Sequence, residues 1–116
     1  MGYPELKSRV GKKGAITMPE GDRLGFEVLD EVRVPQSDLP GKILCLELVE
    51  FEDGRRETRL GYYVIGKKLG KIGKWVWGQY APFMPLEDLR MLVAGAEERN
   101  WFKTIQEGVP RSGGKQ

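Results

Sequence analysis

The residues with the clearest chemical potential lie together in the middle of the chain. The stretch GKKLGKIGK carries lysines at 67, 68, 71 and 74 and glycines at 66, 70 and 73, with no acid among them. Glycines let backbone amides approach an anion closely and lysines add fixed positive charge, so Lys67, Lys68, Lys71 and Lys74 suit a phosphate backbone. The phosphate-cradling pattern Gly-x-x-x-x-Gly-Lys-Ser/Thr is absent, and the same residues also make an ordinary exposed hairpin loop. KWVWGQY follows directly. Two apart on a strand, Trp75 and Trp77 share a face, and Gly78 beside them leaves room for something flat. Such rings, near the loop and near Arg55, Arg56 and Arg59, could stack bases, each worth about 1–3 kcal/mol in single-strand binders. The alternative is that one or both tryptophans belong to the core or to an interface, where large aromatics dominate.

Other chemistry is poorly provided for. There is no histidine, which removes the usual proton shuttle and the usual nitrogen metal ligand, so no catalytic residue, metal or cofactor is expected. Glu87 with Asp88, and Glu97 with Glu98, are neighbours on a helix and point apart instead of converging on a substrate atom. Tyr62, Tyr63 and Tyr80 are the remaining candidates for an enzyme, and their spacing does not recommend one. Cys45, the single cysteine, lies in the apolar run KILCLELV and reads as a buried, inert thiol.

The chain has 116 residues, 40% of them hydrophobic, which suits one domain with one core. Charged residues of both signs make up 31% and leave a net charge of +2, an ordinary aqueous surface. No apolar run approaches the length of a bilayer span, and MGYPELKSRV lacks the apolar stretch of a signal peptide. A cytoplasmic protein without a membrane partner is expected.

The elements that must position these residues follow from periodicity. In KILCLELVEF, Leu44, Leu46 and Leu48 fall on one face and Ile43, Cys45, Val49 and Phe51 on the other, so a central strand covered on both sides is expected. Asp53-Gly54 then marks a hairpin, because both residues accept positive φ. The return strand places Leu60, Tyr62 and Val64 opposite Tyr63 and Ile65, and the lysine loop leads to a third strand, KWVWGQY. Pro85, preorganised for a first helical turn, precedes Glu87 and Asp88, where the helix dipole favours acids. Leu86, Leu89, Leu92, Val93 and Ala96 form the expected apolar stripe. The expected domain is therefore α+β and spans residues 1–102: a β-hairpin-like segment at 7–34, an antiparallel meander at 42–80, and an amphipathic helix at 85–102 packed on the sheet. Residues 103–116 read as a flexible tail.

In the first segment, Gly14, Ile16, Thr17, Met18, Pro19, Arg23, Leu24, Gly25, Phe26, Asp30, Glu31 and Val32 follow a spacing that resembles the AbrB/SpoVT/MazE swapped-hairpin DNA-binding family. The match covers roughly a quarter of the chain. It departs from the family in the short helix after the proline, which PEGDRLG leaves two residues short, in Gly21, which stands at a helix position, and in Leu29, which replaces a turn glycine. The resemblance implies a dimer of interleaved hairpins that presents Arg9, Lys12, Lys13 and Arg23 to duplex DNA. Residues 1–34 hold six basic and six acidic residues, so segment charge alone is neutral on the point.

The leading expectation is a nucleic-acid-binding homodimer, with DNA ahead of RNA, using a basic and aromatic β surface. Its rival is a protein-interaction module or assembly subunit, in which the two-faced strand and the tryptophans form the interface.

Overall fold

The structure is a computed structural model that describes residues 3–67, 70–78 and 80–103. Five strands, β1 (Lys13–Thr17), β2 (Arg23–Pro35), β3 (Lys42–Phe51), β4 (Arg56–Ile65) and β5 (Trp75–Trp77), form one sheet in sequence order, and helix α1 (Leu86–Glu98) follows. Every neighbouring pair is antiparallel. The fold is thus the expected α+β meander with one C-terminal helix. The N-terminal hairpin is part of the same sheet, because β2 runs on past β1 and pairs with β3 along nearly all of its length.

The long strand β2 changes faces partway. Its register against β3 shifts between Val28 and Asp30, a β-bulge with one extra residue. Leu24, Phe26, Val28, Val32 and Val34 are all even-numbered, yet Phe26 and Val28 lie opposite Phe51 and Val49, while Val32 and Val34 lie opposite Leu46 and Leu44 on the other face. The core is therefore double. Val32, Val34, Leu44 and Leu92 form one buried cluster under the helix, with Leu46, Tyr62, Met84 and Trp101 against it. Phe26, Val28 and Val49, with Phe51, form the second on the opposite face.

The helix is rotated relative to the stripe read from sequence. Asp88, Leu92 and Ala96 are its buried positions, whereas Leu86 is 85% exposed, and Leu89 and Val93 also reach solvent. Gly95 explains the rotation: a Cβ there would stand 2.6 Å from Val32 Cγ1, so this position lets the helix sit directly on β2. Asp88 is buried because its carboxylate accepts hydrogen bonds from the Ser37 amide at 2.8 Å and hydroxyl at 3.2 Å, closing the β2–β3 connection. Glu87 instead pairs with Arg90 at the surface, so the two adjacent acids do diverge. The helix ends four residues before the expected boundary, where Asn100 takes φ 63° and the Trp101 amide bonds back to Ala96 O, a Schellman-type stop. Trp101 Nε1 donates to Asp30 Oδ2 at 3.0 Å, tying the helix end to the bulge.

The β3–β4 hairpin is present, but of the two turn residues only Gly54 takes positive φ, at 91°. The Phe51 amide bonds to Arg55 O and the Gly54 amide to Phe51 O, which makes a longer turn closed by a glycine in place of the two-residue type. Beside it, the Arg55 amide and side chain hold the Asp53 carboxyl below its ordinary range. The last strand is also shorter than KWVWGQY suggests, covering Trp75–Trp77 alone. No helix among the described residues is long and apolar enough to cross a membrane.

Candidate functional site

The face of the sheet away from the helix carries a row of charges that its register makes unavoidable. Glu31 on β2, Glu47 on β3 and Arg59 on β4 are direct cross-strand partners. Two carboxylates side by side repel unless cations compensate them. Here the compensation is arginine. Glu47, 0% exposed, accepts from Arg59 Nη2 at 2.6 Å through one oxygen and from Arg9 Nε at 2.9 Å through the other. Arg33 Nε stands 3.5 Å from Glu31 Oε1, and the Arg9 amide donates to Glu31 Oε2 at 3.3 Å.

Aromatic rings frame these guanidinium groups. Arg59 lies 5.2 Å from the Phe26 ring centroid and 4.9 Å from that of Trp77, and Arg9 lies 5.9 Å from Trp77. Two glycines allow the rings to lie down on the sheet: a Cβ at Gly14 would meet Phe26 Cζ at 2.7 Å, and one at Gly61 would collide with the Trp77 ring. Tyr63 meets Trp77 edge-on, with ring centroids 4.9 Å apart. Arg9, Arg59, Tyr63 and Trp77 together line a cavity of about 180 Å³.

The N-terminal segment crosses this face. Both Nη groups of Arg33 donate to backbone oxygens, one to Leu6 and the other to Lys7. Trp75 Nε1 donates to Pro4 O at 2.6 Å, and Tyr3 tilts against its ring. The second apolar face of β3 is therefore covered from within the chain and does not itself call for a second copy or a partner.

Glu31, Cys45 and Glu47 bring potential metal-ligating atoms within 4.8 Å of one another. The trio does not suit a cation. Both oxygens of Glu47 are engaged by arginine, and burial, then the neighbouring Glu47 and Glu31 charges, push the Cys45 thiol up to about 12. Burial likewise pushes the Tyr63 hydroxyl up from 10.0 to about 12; like any tyrosine it is protonated and able to donate at neutral pH.

The residues singled out from sequence fall into three places. Arg9 and Trp77 belong to the charge row, with Trp75 next to them on the same face. Lys12, Lys13 and Arg23 are exposed at the β1 edge, where Lys13 faces Glu27 and Arg23 faces Thr17. Lys67, Lys71 and Lys74 are exposed on the connection between β4 and β5; Lys68 lies outside the described residues. Three strands separate the β1 edge from β5, so the two lysine groups do not form one patch. The room expected beside Gly78 is taken by the Tyr62 ring. The loop's own amides are partly spent as well, since Gly66, Gly73 and Lys74 donate within the loop.

Arg55 and Arg56 are matched by nearby acids, Asp53 and Glu57 for the first and Glu50 for the second. The lysine loop differs. Residues 58–86 contain five basic residues and no acid, so the net charge of +2 is +5 in this stretch and −3 in the rest. Sequence reading missed Glu47 and Arg33 as site residues and named Tyr63 only among the tyrosines an enzyme could use; the signal available was Glu47 in phase with Cys45 and Val49 on an otherwise apolar strand face. No protein family, curated protein or solved structure matches the chain.

Proposed function

We propose that the protein binds nucleic acid, DNA ahead of RNA, as a cytoplasmic, regulator-like homodimer. The observation that carries this reading is the acid-free stretch 58–86, which exposes Lys67, Lys71 and Lys74 on the connection leading into Trp75, whose ring Tyr3 tilts against. Phosphates meet uncompensated lysines there, and the Tyr3 ring, 56% exposed, offers a base a stacking surface. On this reading the β1-edge residues Lys12, Lys13 and Arg23 make a second, separate contact, as the AbrB-like resemblance implies. Changing Lys67, Lys68, Lys71 and Lys74 together to Gln is expected to weaken binding to all sequences alike, with the salt slope falling by about one unit for each phosphate no longer neutralised. Unchanged affinity in that variant at low salt would remove the loop from the binding surface.

A second reading, a protein-interaction module, is favoured by the exposed flank of the helix. Leu86, 85% exposed, with Leu89 and Val93, which are partly exposed, lies on that side, and Phe83, 88% exposed, precedes the helix. The same flank would serve the homodimer. Sedimentation showing monomer alone at micromolar concentration would count against the homodimer.

A further inference from the structure

The cavity between Arg9, Arg59, Tyr63 and Trp77 has donors left over. Arg9 gives Nε to Glu47, and Arg59 gives Nε and Nη2. Among the described residues no acceptor engages either Nη of Arg9 or Nη1 of Arg59, and the Tyr63 hydroxyl makes no hydrogen bond. Glu47 cancels one of the two guanidinium charges, so the cavity keeps one positive charge, and the fully buried carboxylate fixes both forks in place. Fork-shaped N–H groups and a hydroxyl donor around a positively charged hollow match an oxyanion, which guanidinium binds through paired hydrogen bonds.

We infer that this cavity is a binding site for a single phosphate group, with Arg9 and Arg59 as the charged donors and Tyr63 as the neutral one. The site lies on the same sheet face as Trp75 and Trp77. A phosphate could reach it from a nucleic-acid strand or from a free phosphomonoester. Phosphate binding here does not depend on nucleic-acid binding, because the cavity is complete without the lysine loop.

The test is calorimetric titration of the full chain with inorganic phosphate, a nucleoside 5′-monophosphate and the matching nucleoside, at ionic strength held constant with chloride. Saturable binding of phosphate and monophosphate, with none of the nucleoside, is expected. Tyr63→Phe should weaken it about tenfold, the loss expected for one hydrogen bond to a charged group. The variant with the four loop lysines changed to Gln should bind phosphate as the parent does even where it has lost nucleic acid, which keeps the two readings apart. If 5′-phosphorylated oligonucleotide binds more tightly than the hydroxyl-ended strand, the strand is the source; equal binding assigns the site to the free phosphomonoester. No saturable heat with phosphate in the parent, or a Tyr63→Phe variant that binds phosphate as the parent does, would overturn the inference.

Discussion

On the helix-covered face, Val32, Val34, Leu44 and Leu92 bury against one another as a purely apolar cluster, while on the opposite face Glu47, no more exposed than Leu44, is held between two arginines. Apolar burial stabilises through area removed from water, is not screened by salt and is nearly indifferent to pH. A buried ion pair must first recover the desolvation of both partners, and apolar residues of similar volume often do as well or better. The apolar clusters, one on each face, thus explain why the chain folds. The charge row on the second face needs another reason, and spare guanidinium donors around a hollow supply one.

Variants can break that contrast. Leu44→Ala, on the apolar face, should cost about 2–5 kcal/mol in chemical denaturation, with the loss unchanged by added salt. Arg59→Ala should cost about 1–3 kcal/mol, less than a broken fully buried pair because Arg59 is itself 37% exposed and Arg9 still reaches Glu47. Joining it to Glu47→Leu should recover part of the loss, since no buried charge is then left without its partner. A double variant as unstable as the sum of the two singles would show that the cluster is needed for the fold itself. A smaller effect sharpens the comparison on the thiol. Cys45 titrates normally at 9.0 but is held up to about 12 in the folded chain. The native state therefore keeps a proton that the unfolded state loses. This contribution is full below 9.0 and fades as pH climbs toward about 12, so stability should fall across that window, and less steeply in Cys45→Ala. A thiol reagent at neutral pH should label Cys45 no faster than the chain opens.

The meander and its helix were legible because the alternation in β3, the Asp53-Gly54 turn and the Pro85 helix start all agree. Finer placement depended on tertiary facts. The bulge at Val28 to Asp30 reverses the facing of β2 without disturbing its even-numbered apolar pattern, so no periodicity count reveals it. The helix rotation is decided by contact between Gly95 and Val32, two residues far apart in the chain. Glu47 interrupts a strand face that the alternation reads as apolar and covered, and its partner Arg9 arrives from an extended segment whose path no local pattern dictates. Trp75 and Trp77 did share a face, as spacing required, but the company they keep, Pro4 for one and Arg59 for the other, is set by the sheet register and by the N-terminal crossing.

The measurement closest to the central claim is an electrophoretic mobility shift of the unaltered protein against single- and double-stranded DNA and RNA at low and at moderate salt. An acid-free stretch with exposed lysines should shift nucleic acid at low salt, with DNA shifted at lower protein concentration than RNA. Binding should weaken steeply as salt rises, since each phosphate contact contributes about −0.7 to −0.9 to the slope of log affinity against log salt. No shift with any of the four at low salt would contradict nucleic-acid binding and leave the exposed helix flank, with its protein partner, as the reading to pursue.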